Sequence, residues 1–143
     1  MDPLSALSVA AAVVQFADFG SRLVKNVVEL YQSGQKRDHV ELSVVSQDLS
    51  RLAASVESKV AGNRDVAGEV FMRLVGECAA VNDELQAILK KLKARGDTKI
   101  ALATDSWMVA LRQVVAAKDI ENLVRRLGEV RQQMNVALLY LLL

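Results

Sequence analysis

The chain has 143 residues, of which 52% are hydrophobic, 4% are aromatic and one is proline. This length suits a single domain with a sizeable core, and the composition favours long aliphatic helices without interruptions. The net charge of +1 argues against a nucleic-acid partner, because such partners attract proteins through a general excess of basic residues.

The first predicted helix opens with a segment that is almost free of charge. Asp2 can cap this helix, Pro3 suits its first position, and the helix is predicted to run to Tyr31 or Gln32. Residues 3–17 carry no charged side chain. The polar residues that recur further on, at steps of three and four, are Gln15, Asp18, Arg22, Lys25, Asn26 and Glu29. The helix is therefore apolar almost all round at its start and amphipathic later.

Apolar residues at steps of three and four predict two more long helices, over residues 38–60 and residues 65–94. The apolar stripe of the second helix is Leu42, Val45, Leu49, Leu52, Val56 and Val60. The stripe of the third is Ala67, Val70, Phe71, Leu74, Val75, Cys78, Val81, Leu85, Ile88, Leu89 and Leu92. Stops at Gly62 and Gly96 leave short connections, which favour antiparallel packing. His39, just inside the second helix, is expected to be a surface or capping residue.

The rest of the chain predicts a loop over residues 97–104, a short helix over residues 106–116 and a last helix. Trp107 is expected to anchor the short helix in the core, and Asp119 can cap the last helix, unless the two helices are continuous. The inward stripe of the last helix is Ile120, Leu123, Val124, Leu127, Val130, Met134, Leu138 and Leu141. No segment shows the alternation of a strand.

These elements predict an all-α fold. We expect an antiparallel helical bundle of four to five helices with a long N-terminal helix, in one domain over residues 1–143. The closing run VALLYLLL has no polar stop signal. Because a natural terminus seldom exposes such a run, we expect the domain to be the first part of a longer protein.

Sequence signals of catalysis are missing. No glycine-rich phosphate loop, metalloprotease motif or nucleophile elbow occurs, so neither an enzymatic activity nor a cofactor is expected. With one cysteine, Cys78, and one histidine, no zinc site is expected. The N-terminus lacks the basic region of a signal peptide, and Cys78 in an apolar stripe fits a reducing compartment. We therefore expect a cytoplasmic protein.

The apolar first helix has two interpretations, a membrane segment and a core helix surrounded by the others. Residues 3–17 are fewer than the roughly 20 that cross a bilayer, so a solitary span is not expected. In a ring of helices, a polar stripe of Gln15, Asp18 and Arg22 can face a water-filled lumen while apolar faces meet lipid. The candidate residues for membrane insertion are Leu4, Leu7, Val9, Val13, Val14, Phe16 and Phe19.

A basic run is a second candidate for lipid contact. Residues 90–143 hold 10 Lys or Arg against 5 Asp or Glu, so the basic excess lies late in the chain. Clustered cations each gain about 1 kcal/mol near anionic lipid headgroups. The other interpretation is that these cations complement the dipole at a helix C-terminus. The residues of the run are Lys90, Lys91, Lys93 and Arg95.

The opening MDPLSALSVAAAVVQFADFGSRLV and the following ELYQSG resemble the N-terminal domains of fungal STAND (NLR-like) proteins, the HeLo-like group. The resemblance extends through ECAAVNDELQAILKKLKARG and ALRQVVAAKDIENLVRRLGEVRQQMNVAL. It implies a helical bundle that precedes a nucleotide-binding module in the same chain, and this module clusters the N-terminal domains. In such relatives, clustered domains execute regulated cell death in immunity or heterokaryon incompatibility by driving the N-terminal helix, residues 4–19 here, into the plasma membrane.

The resemblance and the residues together predict a membrane-targeting effector domain that acts by self-association and insertion of its first helix. On activation we expect it to move from the cytoplasm to the plasma membrane. The alternative is a protein-interaction and oligomerisation bundle in signalling that never enters lipid.

Overall fold

The computed structural model describes residues 3–31, 39–61, 68–101 and 104–142. Over these ranges the chain forms six helices and two short strands. The helices are α1 (Pro3–Lys25), α2 (Val27–Tyr31), α3 (Leu42–Ala61), α4 (Glu69–Ala94), α5 (Thr104–Val114) and α6 (Ala117–Leu142). The strands are β1 (His39–Glu41) and β2 (Lys99–Ala101). The predicted all-α bundle with a long N-terminal helix is confirmed.

The bundle consists of α1, α3, α4 and α6, and α1 contacts the other three helices. Asp18 of α1 pairs with Arg131 of α6, and Gly20 lies against Leu127. Because residue numbers fall along α6 as they rise along α1, these two helices are antiparallel. The first turns of α1 therefore lie at the same end of the bundle as the last turns of α6.

α1 approaches its neighbours closely at Gly20. A Cβ atom added at this position would lie 3.1 Å from both methyl carbons of Leu127 and 3.6 Å from a methyl carbon of Leu85 in α4. Contacts this short leave little room for a larger side chain in a close-packed interior. The missing side chain therefore allows α1 to be packed between α6 and α4.

The core is apolar, and no polar or charged residue is buried in the part of the chain that the structure describes. The predicted stripes supply most of it: α3 buries Leu42, Val45, Leu49, Val56 and Val60, and α4 buries Phe71, Leu74, Val75, Cys78, Val81, Leu85, Leu89 and Leu92. One prediction is wrong, because Val70 is 43% exposed. It lies in the first turn of α4, at the start of the described helix.

The single helix predicted through Tyr31 is interrupted at Asn26, which separates α1 from α2. Close to this break, the indole N–H of Trp107 donates a hydrogen bond to the carbonyl oxygen of Leu23 at 2.6 Å. Carbonyls in the last turn of a helix lack partners within the helix, and Trp107 supplies one from α5. Trp107 is 1% exposed, so its predicted role as a core anchor is confirmed.

The predicted absence of strands is wrong. β1 pairs with β2 in an antiparallel ladder, and β2 lies within residues 97–104, which were predicted to form a loop. α3 therefore begins at Leu42 rather than at residue 38, and the backbone N–H of Leu42 donates to the carbonyl of Thr98 at 3.0 Å. His39 belongs to β1, where it is exposed. Strands of three residues are too short to show an alternating pattern, which explains the error.

α5 and α6 are separate helices. α6 begins at Ala117 and carries Asp119 in its first turn rather than as its cap. The predicted cap Asp2, the predicted stop Gly62 and the predicted start of the third helix at residues 65–67 lie outside the described residues.

The predicted stop at Gly96 is confirmed by the backbone. Gly96 has a φ of +91°, a conformation that glycine adopts without strain. Its N–H donates to the carbonyl of Lys93 at 2.9 Å, and the N–H of Asp97 donates to the carbonyl of Leu92 at 3.1 Å. This pair of bonds is a Schellman motif, which ends α4 and turns the chain toward β2.

Candidate membrane-contact site

The predicted insertion residues of α1 divide into three groups. Val9, Val13 and Phe16 are fully buried, Val14 and Phe19 are half-buried, and Leu4 and Leu7 are exposed. Leu4 is 80% exposed and Leu7 is 42% exposed. Most of the segment therefore lies in the core, as the core interpretation expects, while its first two turns present leucine to solvent.

The solvent-facing side of α1 changes character along the helix. Its exposed residues are Leu4, Leu7, Ala11, Gln15, Arg22 and Lys25. In its first three turns the exposed residues Leu4, Leu7 and Ala11 are apolar, with the partly buried Ser5 and Ser8 beside them, and charge begins only in the second half. Surface helices normally place polar residues on the side that meets water. The start of α1 departs from this rule within the folded bundle.

α1 is long and apolar enough to cross a membrane, by length and composition. The stretch Leu4–Lys25 has 22 residues and a mean hydropathy of 1.4 over 18 residues, of which 44% are buried. It reaches this length only by including Asp18, Arg22 and Lys25. Core helices of soluble proteins also meet these criteria, so the property fits both interpretations of α1.

Exposed apolar side chains of α6 lie at the same end of the bundle as the start of α1. Val136 is 54% exposed, Leu139 is 63% exposed and Tyr140 is 83% exposed. We call these three residues together with Leu4 and Leu7, which lie at the same end of the bundle, the apolar end. Exposed apolar side chains, where they form a contiguous patch, mark sites of contact with protein or membrane. The α6 residues of the apolar end belong to the VALLYLLL run of the sequence. A helical pattern does not reveal which side chains of this run are exposed.

The polar stripe of α1 contacts α6 in the bundle. The carboxylate of Asp18 stands 3.4 Å from the guanidinium of Arg22 and 3.4 Å from that of Arg131. Gln15 is exposed. Solvent-exposed ion pairs contribute about 0–1 kcal/mol, so this pairing adds little to the attachment of α1. The apolar core contacts of α1 are what hold it in the bundle.

A stronger polar connection joins α4 to α6. Arg126 donates hydrogen bonds to the carboxylates of Glu77 and Glu84, and Arg73 donates to the side-chain oxygen of Gln133 at 3.0 Å. The bond to Glu77 is the main cause that raises the pKa of Arg126. These contacts do not involve α1, so α4 and α6 keep their polar connection if α1 leaves.

Cys78 has the properties of a core residue rather than a reactive thiol. It is 2% exposed, and burial raises its pKa from 9.0 to about 12. A thiol of this kind stays protonated and unreactive at neutral pH.

The basic run lies at the other end of the bundle from the apolar end. Lys90, Lys91 and Lys93 are exposed in the last turns of α4, and Arg95 is the C-cap. Its backbone N–H donates to carbonyls at the end of α4, as a capping residue does. The structure does not bring this run together with Leu4 or the other residues of the apolar end.

Comparison of the chain with models of known protein families, with curated proteins and with solved structures finds no match.

Proposed function

We propose that the chain is a non-enzymatic, membrane-targeting effector domain that induces cell death within a fungal NLR-like receptor. It acts by oligomerisation and by insertion of α1 into the plasma membrane. The observation that carries the proposal is the double character of α1, which is the central helix of the bundle and exposes Leu4, Leu7 and Ala11, and no charged side chain, over its first three turns. Exposed leucine on two successive turns departs from the normal pattern of a surface helix, whose water-facing side is polar.

The dimensions of α1 support a membrane role. Its 23 residues extend roughly 34 Å at a rise of 1.5 Å per residue, and the hydrocarbon core of a bilayer is about 30 Å thick. The apolar surface that α1 loses on leaving the bundle is covered again by lipid, at about 25 cal/mol per Å². Asp18 and Arg22 then need a polar environment, which the lumen of an oligomeric ring supplies.

Clustering provides the trigger. In this proposal, the domain rests in the cytoplasm with α1 in the core, and a nucleotide-binding module in the same chain brings several copies together at the plasma membrane. Neighbouring copies then share the polar stripe of α1 around one lumen. A single copy gains nothing comparable, because its charged residues face lipid without partners.

Liposome leakage tests this proposal. The domain is fused to an oligomerising partner and added to dye-filled vesicles, and the unfused domain serves as the control. We expect dye release only with the clustered form. Equal or absent release from both forms contradicts the proposal.

The second candidate is a protein-interaction and oligomerisation bundle that never enters lipid. The burial of Val9, Val13 and Phe16 favours it, because a permanent core helix needs these contacts. In this case the apolar end is covered by another protein surface. The clustered domain then associates further in solution without vesicles and releases no dye.

A further inference from the structure

A groove opens between the end of α1, α5 and the start of α6. Its floor consists of Met108, Ile120 and Val124, of which Ile120 is 7% exposed and the other two are partly buried against the core. The groove has a volume of about 370 Å³. Pockets that bind small amphiphilic molecules have this size and an apolar lining with a few polar groups.

The rim of the groove is cationic. Lys25, Arg112 and Arg125 line it against a single acidic residue, Glu121. Arg125 is engaged by Glu129 at 2.9 Å, whereas Lys25 and Arg112 form no ion pair with another described side chain. An apolar floor beneath two available cations is complementary to a ligand with an anionic head and an apolar tail.

We propose that this groove binds an anionic phospholipid of the membrane surface. Lys25 and Arg112 contact the phosphate and headgroup, and the first carbons of an acyl chain cover Met108, Ile120 and Val124. Each cation close to an anionic membrane gains about 1 kcal/mol, and the apolar floor adds selectivity for a lipid over a soluble anion.

The position of the groove on α1 favours lipid over a peptide as the occupant. Lys25 lies on the same exposed side of α1 as Leu4, Leu7 and Ala11, at the other end of the helix. Leu4 and Lys25 are separated by roughly 32 Å along α1, at 1.5 Å per residue. One long side of the bundle thus carries apolar side chains at one end and a cationic groove at the other, so it can lie flat on a membrane.

The basic run of α4 is separate from this groove. Lys90 and Lys91 are exposed on a helix end, and neither is among the residues that line the groove. They attract an anionic surface by charge alone. Lys90 and Lys91 are therefore a matched control for Lys25 and Arg112. Replacing either pair by glutamate changes the net charge of the domain by the same amount.

The inference rests on the proposed membrane function for the choice of a lipid, but its test uses the unclustered domain and does not depend on insertion of α1. Binding is measured by co-sedimentation with phosphatidylcholine vesicles, with and without phosphatidylserine. The double variant Lys25→Glu with Arg112→Glu is compared with Lys90→Glu with Lys91→Glu. We expect the groove variant to lose about tenfold or more of its affinity for the anionic vesicles, and the control to lose clearly less.

A variant with unchanged net charge distinguishes a specific lipid site from general electrostatic attraction to the membrane. Val124→Asn keeps the charge and makes the floor polar, so we expect weaker binding to the same vesicles with unchanged helix content by circular dichroism. Soluble glycerophosphoserine, added as competitor, is expected to displace the domain only poorly. Equal losses in the two charge variants, unchanged binding of Val124→Asn, or full displacement by the soluble headgroup would each overturn the lipid site. Leakage by the clustered domain remains a separate readout, so failure of the groove and failure of the proposed function are distinguishable.

Discussion

Replacing Leu4 and Leu7 together by glutamate separates the two roles of α1. Full burial of a leucine side chain contributes about 1.5–3 kcal/mol to folding. Leu4 is 80% exposed and Leu7 is 42% exposed, so the two losses amount to about 1–2 kcal/mol. The first turn of α1 has no acidic residue, and a carboxylate there gains about 0.3–1 kcal/mol from the helix dipole. The free energy of unfolding should therefore fall by about 1 kcal/mol.

The same substitutions have a much larger effect in lipid. An acidic residue costs about 2.5–3.5 kcal/mol at the centre of a membrane helix, where leucine is favourable by about 0.3–0.6 kcal/mol, and the cost declines toward the helix ends. Two substitutions in the first two turns then cost about 3 kcal/mol for each inserted copy, which is more than a hundredfold in the insertion equilibrium. Leakage by the clustered domain should be abolished.

The assay compares dye release by the clustered double variant with that of Val44→Glu, which is the matched control. Val44 is 37% exposed, close to the value for Leu7, but it lies in α3. Circular dichroism and thermal unfolding confirm that both variants fold. Undiminished leakage by the folded Leu4→Glu, Leu7→Glu variant refutes the insertion of α1, and equal loss with Val44→Glu refutes its specificity.

Three further predictions concern the bundle itself. Trp107→Phe leaves the carbonyl of Leu23 without its donor, and we expect it to lower the free energy of unfolding by about 1–3 kcal/mol in urea denaturation; an unchanged midpoint contradicts this role. Gly20→Val crowds Leu127 and should lower the free energy of unfolding by about 1–3 kcal/mol. Adding Leu127→Ala relieves the crowding, so the double variant should lose less stability than the two single variants lose in sum; strictly additive losses contradict the close approach. The pKa of Cys78 is raised from 9.0 to about 12 in the folded state, so the folded protein holds the thiol proton more tightly than the unfolded chain. Stability should therefore fall as the pH rises through this window, and Cys78→Ala should show a smaller fall between about pH 8 and about pH 11; parallel curves contradict the assignment.

The sequence predicts the parts of the fold that depend on local periodicity. Leu49, Leu85 and Leu127 lie on stripes at steps of three and four, and each is buried as expected. The stop at Gly96 was also predictable, because a helix end in the left-handed conformation favours glycine. In these cases the information lies within a few neighbouring residues.

Features that join distant parts of the chain could not be predicted in this way. The interruption at Asn26 lies beside a carbonyl that accepts from Trp107, 84 positions away from Leu23 in sequence. The groove collects Lys25 and Arg112 from different helices, each of which reads alone as an ordinary solvated cation. The exposure of Leu4 likewise depends on how the other helices pack against the start of α1. Packing geometry decides each of these features, and periodicity does not report it.

Insertion of α1 is tested most directly by following the environment of this helix during clustering. A polarity-sensitive fluorophore is attached to Ala11→Cys in a Cys78→Ala background, since Ala11 is exposed and the label leaves the core intact. If α1 inserts on clustering with vesicles, the emission should shift to the blue and be quenched by lipids that carry nitroxide groups deep in the bilayer, and a label at Val44→Cys should show neither change. An unchanged, water-like emission from position 11 while the vesicles leak would contradict this insertion.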